Sequence, residues 1–223
     1  MISVILPTHN DEIALAHALA ALVPAAADGM VREVIVVDAA SSDGTALVAD
    51  AAGCRWVAGS GRRGADLSSA ATMARSEWLL FLSPHAMLES GWQHEAHDFI
   101  DRVQMSGDTM QAAAFCHARA GFGFGARLAE AAVSLGSRLL AAPSIEEGLL
   151  LPVRFYRELG GHAAQADMAD IDLSRRIGRR RLSFLRARAV LRADATLGQD
   201  VGPARTMTTL ALSILRVPRL LRG

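Results

Sequence analysis

The first 90 residues alternate between short, continuous apolar segments and longer segments with helical periodicity. Residues 2–6, 33–37 and 78–82 are rich in Val, Ile and Leu, whereas Leu15 and Leu19 recur at the spacing of one helix face. Strands that are apolar along their whole length are buried on both faces, which is typical of a mostly parallel sheet covered by helices. The sequence therefore predicts an α/β fold with a Rossmann-like central sheet and helices on both faces.

Length, hydrophobic content and charge indicate how many domains to expect and whether nucleic acid is a partner. The 223 residues, of which 51% are hydrophobic, can bury the core of a single domain. The formal net charge is zero, and the arginine run 179–181 has no interleaved aromatic residues. We therefore expect one domain and no nucleic-acid partner.

The cysteine count and the N-terminus indicate the compartment. Cys54 and Cys116 are too few and too far apart for a disulfide framework. The N-terminus enters a strand directly, without the pattern of a secretory signal, and no segment reaches the roughly 20 apolar residues that span a bilayer. These features predict a cytoplasmic protein.

The positions of helices and strands follow from apolar spacing and from capping residues. Asp11 is predicted to cap the first helix, and Ser42 or Asp43 the second, which ends near Gly53. The remaining predictions are strands at 55–57, 111–116, 148–153 and 182–191, helices at 65–75, 92–103, 170–179 and 204–215, and a glycine-rich turn at 121–125 followed by a helix through 140.

Polar residues follow three of the predicted strands. Residues 7–10 come after the first strand, Asp38 after the second, and residues 83–85 after the fourth. In a doubly wound sheet, ligands bind outside the carboxyl ends of the strands. A carboxylate at Asp38 can accept hydrogen bonds from a ribose or a base, whereas the alternative is that Asp38 and Asp43 only cap turns and helices.

Three segments carry a resemblance to a known family. The sequence Pro-Thr-His-Asn-Asp at 7–11 resembles Pro-Thr-Tyr-Asn-Glu, and Val-Val-Asp-Ala-Ala-Ser-Ser-Asp-Gly-Thr at 36–45 resembles Val-Val-Asp-Gly-Gly-Ser-Ser-Asp-Gly-Thr. Met-Ala-Asp-Ile-Asp-Leu at 168–173 resembles Met-Glu-Asp-Val-Glu-Leu. Together they are similar to the family-2 nucleotide-sugar glycosyltransferases of GT-A fold.

The resemblance implies transfer of a sugar, of hexosyltransferase type, from a nucleoside diphosphate sugar to an acceptor, with inversion. It implies a nucleotide-binding half at about 1–90, an acceptor half at about 91–203 and a C-terminal amphipathic helix at 204–223. The residues implied to bind the nucleotide sugar are Pro7, Thr8, Asn10, Asp38, Arg63, Ser83 and His85, with Arg63 near the diphosphate.

The metal motif of the family is degenerate in this chain. Relatives hold Mg²⁺ or Mn²⁺ with Asp-x-Asp after the fourth strand, where this chain has Ser83, Pro84 and His85. These ions prefer hard oxygen ligands, which one imidazole does not replace. His85 could bind Mn²⁺ weakly, donate to a phosphate or be an ordinary loop histidine, and we expect little metal dependence.

The segment 168–173 implies the catalytic residue. Asp170 takes the position of the general base, and Asp172 and Glu147 are implied to lie on the acceptor side. The alternative is that the acids load the N-terminus of a helix whose other end is rich in arginine, which favours the helix dipole. Ala169, in place of the Glu of the family, leaves open a catalytically impaired GT-A domain that serves as a nucleotide-binding or scaffolding protein.

The last 20 residues combine arginines with a spaced apolar face. A basic amphipathic helix of this kind can lie on an anionic membrane surface, which would place the enzyme beside a lipid-linked acceptor. Its apolar face could instead pack on the domain or on a second subunit in a homodimer.

Overall fold

Strands and helices alternate in a computed structural model that describes residues 1–119, 148–164 and 169–191. The strands are β1 (Ile2–Thr8), β2 (Val31–Asp38), β3 (Arg55–Ala58), β4 (Trp78–Phe81), β5 (Ala86–Leu88), β6 (Ala112–Arg119), β7 (Leu149–Pro152) and β8 (Leu182–Leu191). The helices are α1 (Glu12–Ala27), α2 (Thr45–Ala51), α3 (Arg63–Met73), α4 (Trp92–Ser106), α5 (Val153–Glu158) and α6 (Ala169–Ile177).

All eight strands join one sheet in the order β3-β2-β1-β4-β7-β6-β8-β5. The first four are parallel, with β1 between β2 and β4 and with β3 beside β2. In the second half β6 and β8 are parallel, whereas β7 runs antiparallel to β4 and β6, and β5 antiparallel to β8. The predicted α/β class with a mostly parallel sheet is confirmed.

The core lies on both faces of this sheet because side chains alternate along each strand. Val4 and Leu6 of β1 face the cluster that includes residues of α1 and α4, whereas Ile5 faces the cluster that includes residues of α3, α5 and α6. All three side chains are fully buried. Burying one such side chain stabilises the fold by about 1.5–3 kcal/mol, so the continuous apolar strand predicted from sequence is also a main source of stability.

Asp11 is the N-cap residue of α1, as predicted, but its side chain makes no cap hydrogen bond, whereas the N-cap residue of α2 is Gly44 and not Ser42 or Asp43. The Asp11 side chain does not cap α1, because its carboxylate binds the His9 N–H (2.8 Å) and the His85 ring. Asp43 takes over this task by accepting from the Glu12 N–H (3.1 Å), and it also accepts from the Thr45 N–H (3.0 Å) at the start of α2. One carboxylate thus ties together the starts of two helices.

The predicted strands and helices within the described residues are present, with shifted ends. The predicted strand at 148–153 ends at Pro152, and the short β5 and α5 were not predicted. The turn at 121–125, the helix through 140 and the helix at 204–215 lie outside the described residues. The described residues all fall within one compact unit, Met1–Arg192.

Candidate functional site

The carboxyl ends of β1 and β2 are joined through a buried carboxylate. Thr8 and Asp38 are register partners, and Thr8 Oγ1 donates to Asp38 Oδ1 at 3.1 Å. The Ser41 hydroxyl also donates to Oδ1, and the Ser41 N–H donates to Oδ2 at 2.8 Å. A carboxylate offers about four acceptor positions, so these bonds leave one free on Oδ2. Asp38 therefore caps the turn after β2, and these three hydrogen bonds leave one of its acceptor positions unused.

The loop between β2 and α2 uses its backbone N–H groups internally. Asn10 Oδ1 accepts from the Ser42 N–H (2.8 Å), Glu12 Oε2 from the Gly44 N–H (3.1 Å), and Asp43 Oδ1 from the Thr45 N–H (3.0 Å). Desolvation acts to raise the pKa of Asp43, but hydrogen bonds from Thr45 and Glu12 outweigh it and lower the pKa. These three backbone N–H groups are therefore already paired within the protein.

The end of β4 contacts the same edge of the sheet. Ser83 is buried and its Oγ accepts from the His85 N–H at 3.2 Å. His85 Nε2 lies 2.9 Å from Asp11 Oδ1, which joins the loop after β4 to the loop after β1. Pro7, Thr8, Asn10, Asp38, Ser83 and His85 thus lie at or beside three neighbouring strand ends, as the alternation of strands and helices predicted.

The described residues do not form a set of ligands for a divalent ion. No group of three or more His, Cys, Asp or Glu side chains in residues 1–119, 148–164 and 169–191 is placed to hold a metal. Mg²⁺ requires nearly octahedral oxygen coordination. The His85 imidazole, paired with Asp11, does not supply it.

Arg63 and Asp170 form a second group, although they are far apart in the sequence. Arg63 begins α3 and Asp170 lies in the first turn of α6, with Arg63 Nε 3.7 Å from Asp170 Oδ2. Gly64 permits this approach, since a Cβ built there would lie 2.1 Å from the Ala163 carbonyl oxygen. The Arg63 side chain is 52% exposed and that of Asp170 is 19% exposed. The pair therefore lies at the surface, with Asp170 on the inner side.

A buried histidine that the sequence analysis missed contacts the other oxygen of Asp170. The His162 side chain is fully buried, and its Nε2 lies 3.3 Å from Asp170 Oδ1. Its Nδ1 lies 2.8 Å from Tyr156 Oη, and Oη accepts from the His162 backbone N–H at 3.0 Å. Desolvation raises the pKa of Tyr156, so the phenol keeps its proton. The one signal in the sequence was a lone histidine directly after Gly160 and Gly161, within reach of the Asp170 segment.

Asp172 faces along α6 instead of joining Asp170. Its carboxylate pairs with Arg176, whose Nε and Nη2 lie 3.0 and 2.7 Å from Asp172 Oδ2. The Arg176 guanidinium also donates to the carbonyls of Leu159 and Gly161, so the pair braces the turn before His162. The charge distribution of α6, with acids in its first turn and Arg175 and Arg176 in its last, is the one that suits the helix dipole.

Two predicted features lie outside the described residues. These are Glu147, on the implied acceptor side, and the C-terminal helix at 204–223 with its membrane or subunit contact. Both stay predictions. Within the described residues, none of the helices has the length and hydropathy that a bilayer span requires.

Comparison with known protein families finds a match for about the first half of the chain. Residues 3–110 match the family described as glycosyl transferase family 2. No curated protein matches the chain.

Solved structures resemble the whole fold at low sequence identity. S. aureus TarS 1–349 has a TM-score of 0.64 at 16% identity, covering 97% of this chain and 66% of TarS 1–349. Glucosyl-3-phosphoglycerate synthase from Mycobacterium tuberculosis, in complex with Mn²⁺, UDP and glucosyl-3-phosphoglycerate, has a TM-score of 0.59 at 18% identity. The match covers 96% of this chain and 77% of the synthase. The mannosyltransferase PcManGT from Pyrobaculum calidifontis, in complex with GDP-Man and Mn²⁺, has a TM-score of 0.66 at 15% identity. The match covers 98% of this chain and 65% of PcManGT.

The solved structures bear on the fold, whereas the match over residues 3–110 bears on the family. At such identities the structural likeness shows the fold alone, and the chain spans about two thirds of TarS 1–349 and of PcManGT. The match over residues 3–110 covers the four parallel strands and the polar loops at their ends. The resemblance recognised from three sequence segments is confirmed over residues 3–110, which match glycosyl transferase family 2, and the described residues have the GT-A fold.

Proposed function

We propose that the protein is an inverting glycosyltransferase that takes a sugar from a nucleoside diphosphate donor. The observation that carries the proposal is the contact between Arg63 and Asp170, with 3.7 Å between Nε and Oδ2. Transfer with inversion needs a base on the acceptor side of the anomeric carbon and positive charge near the departing diphosphate. The fold brings one residue of each kind together from distant parts of the chain.

In the proposed reaction Asp170 accepts the proton of an acceptor hydroxyl. The acceptor oxygen attacks the anomeric carbon and forms the new glycosidic bond, while the bond from that carbon to the phosphate oxygen breaks. The nucleoside diphosphate leaves with the electron pair, and Arg63 stabilises its charge. The attack comes from the side opposite the leaving group, so the configuration inverts.

The ion pair has to open when the donor binds. At 3.7 Å the guanidinium and the carboxylate are too close for a sugar to lie between them. Arg63 is the exposed member of the pair, and an ion pair with one exposed, solvated partner is worth little more than the about 0–1 kcal/mol of a surface pair, so diphosphate can replace Asp170 as the partner of Arg63. Once released, Asp170 is free to face the acceptor.

We propose that the nucleotide binds at the ends of β1, β2 and β4. The remaining acceptor position of Asp38 suits a ribose hydroxyl or a base N–H, and Thr8 and Asn10 lie beside it. His85, exposed by about a third, can donate to a phosphate oxygen if it exchanges Asp11 for that partner. Each of these steps uses side chains only, and none depends on a divalent ion.

A thermal-shift screen with UDP, GDP and their sugars tests the nucleotide site. A ligand at 100 times its Kd stabilises the folded protein by about 2.7 kcal/mol, which is roughly 5–11 °C in Tm for a chain of this size. We expect Arg63→Ala to reduce the shift and the neighbouring exposed Arg62→Ala, as matched control, to preserve it. If no nucleotide shifts the Tm of the parent, the proposal is wrong.

Release of nucleoside diphosphate from a donor that shifts the Tm tests the chemistry. Water serves as the acceptor in this assay, so the natural acceptor is not needed. Asp170→Asn keeps the shape of the carboxylate but not its basicity, and it should lower kcat by about 10²–10⁴-fold while the thermal shift remains. Equal turnover by the parent and by Asp170→Asn would exclude Asp170 as the base.

The second candidate is a GT-A domain that binds a nucleotide without transferring a sugar. The observation in its favour is that Ser83 and His85 stand where the resemblance implies an acidic motif, and that His85 pairs with Asp11. This candidate predicts a thermal shift with UDP or GDP and no turnover with any donor. The two assays above therefore separate the candidates.

A further inference from the structure

The contact between His162 and Asp170 contains two buried polar atoms that face each other. His162 Nε2 and Asp170 Oδ1 are 3.3 Å apart, and neither has a hydrogen-bond partner of good geometry among the described residues. Buried polar groups are nearly always paired, because an unpaired one loses its hydration without compensation. The two atoms are therefore each other's partners, and a small rotation of either side chain completes the bond.

The carboxylate determines which ring nitrogen of His162 carries the proton. An unprotonated Nε2 would direct its lone pair at the negative charge of Asp170, so a proton on Nε2 is favoured. In the neutral imidazole Nδ1 is then an acceptor, and the Tyr156 hydroxyl lies 2.8 Å away to donate to it. The phenol oxygen still accepts from the His162 backbone N–H, so Asp170, His162 and Tyr156 each have a donor facing an acceptor in this arrangement.

The surroundings of His162 favour a fixed orientation. The Phe81 ring packs against the imidazole in a T-shaped arrangement, with 4.8 Å between centroids, and the Gly161 carbonyl before His162 accepts from Arg176. The charged and titratable groups around it are Asp170, Tyr156 and Arg176, with Arg63 beyond Asp170 and Asp172 beyond Arg176. His162 is thus anchored on three sides and presents one N–H to the carboxylate.

We propose that His162 is a positioning residue for Asp170, which it holds by Oδ1 so that Oδ2 is the oxygen that takes the acceptor proton. Oδ1 is inaccessible to solvent, whereas Oδ2 faces the exposed Arg63, where a donor would bind. This inference rests on the proposed function and deepens it, because it assigns separate tasks to the two oxygens of one carboxylate. Tyr156 acts one step further back by fixing the imidazole.

The first test is spectroscopic and needs no turnover. In protein labelled with ¹⁵N-histidine, the long-range proton–nitrogen spectrum distinguishes the two neutral tautomers, and the His162 signals are assigned by their absence in His162→Gln. We expect the Nε2–H tautomer in the parent and a mixture of tautomers in Tyr156→Phe. A parent with its proton on Nδ1 would overturn the proposal.

The second test compares two replacements of His162 in the release assay. Phe keeps a ring of similar size against Phe81 but has no donor, whereas the Gln side-chain amide can place an N–H near the position of Nε2. We expect His162→Phe to lower kcat by roughly 10-fold or more, a part of the about 10²–10⁴-fold that a positioned base contributes, with KM for the donor changed little. His162→Gln should recover most of the loss. Equal kcat for the two variants, both folded by circular dichroism, would refute the positioning role.

The outcomes separate this inference from the proposed function. A parent that turns over a donor and has the Nδ1–H tautomer refutes the inference alone. A parent with the Nε2–H tautomer that binds nucleotide but never turns over refutes the proposed function, and it leaves the contact as a structural brace, which overturns the positioning role as well.

Discussion

Replacing Gly64 with alanine should destabilise the protein, although the same change stabilises most helices. Gly64 lies in the first turn of α3, where glycine costs about 0.5–1 kcal/mol relative to alanine. A Cβ at this position would lie 2.1 Å from the Ala163 carbonyl oxygen and 3.1 Å from the Ala169 Cβ. A normal contact between carbon and a carbonyl oxygen is about 3.3–3.6 Å, so the backbone must move by more than 1 Å.

The size of the effect follows from these opposing contributions. Overpacking of this kind costs about 1–3 kcal/mol. Subtracting about 0.5–1 kcal/mol of helix propensity leaves a net loss of about 0–2.5 kcal/mol. Because the clash is with a backbone atom, we expect the upper part of this range, about 1–2.5 kcal/mol or roughly 2–10 °C in Tm. Because the shift moves α3 away from α6, it should also separate Arg63 from Asp170 and reduce the thermal shift by nucleotide.

Urea and thermal unfolding measure the loss directly. The matched control is Ser69→Ala, an exposed position of the same helix, which should gain about 0.5 kcal/mol or less from helix propensity alone. If Gly64→Ala is as stable as Ser69→Ala, the close approach of α3 to the Ala163 carbonyl is not present in solution, and the geometry that joins Arg63 to Asp170 is refuted with it.

Three further predictions follow from other parts of the structure. Because no acidic pair follows β4, adding Mn²⁺ or a chelator should change the nucleotide affinity little. Ser83→Asp combined with His85→Asp should make that affinity depend on metal, and loss of all nucleotide binding by the parent in chelator would contradict the prediction. Burial raises the pKa of Cys54 from 9.0 to about 11, so the thiolate fraction at pH 8 is about 100-fold lower than that of an unburied cysteine. Iodoacetamide should therefore label Cys54 far more slowly in folded than in urea-unfolded protein, and the labelling rate of the folded protein should still rise above pH 9. Ala40 has a φ of +59°, where a Cβ costs about 1–2 kcal/mol, so Ala40→Gly should be neutral or stabilising in urea unfolding, whereas Ala39→Gly, without positive φ, should destabilise.

Much of the fold was predictable because its first half depends on local patterns. The continuous apolar runs of β1, β2 and β4 and the periodic helices between them are visible in short windows of sequence. The elements that were missed are short: β5 has three residues and α5 has six, too few to establish a period. The antiparallel insertion of β7 between β4 and β6 has no local signal either, because it depends on pairing between distant segments.

The candidate site was predictable only as a set of residues. The family resemblance pointed to Asp38, Arg63 and Asp170, but the contacts among these residues and their neighbours arise from packing. His162 has no motif of its own, and its importance appears only when α6 places Asp170 against its ring. The same holds for Asp11, the N-cap residue of α1, whose carboxylate contacts His85 and not the helix because the loops after β1 and β4 lie close together.

Asp38 could cap the turn after β2 and bind a nucleotide at the same time, although the sequence analysis gave these roles as alternatives. Thr8 and Ser41 already occupy three of its about four acceptor positions, so capping of the turn is present without any ligand. A nucleotide that binds through Asp38 must therefore add a hydrogen bond at Oδ2 instead of replacing one. Asp38→Asn should then separate the two tasks, since an amide whose oxygen faces Thr8 and Ser41 keeps part of the cap but directs an NH₂ group at the incoming donor. If Asp38→Asn binds UDP and GDP as well as the parent does, the carboxylate serves the turn alone and the nucleotide lies elsewhere.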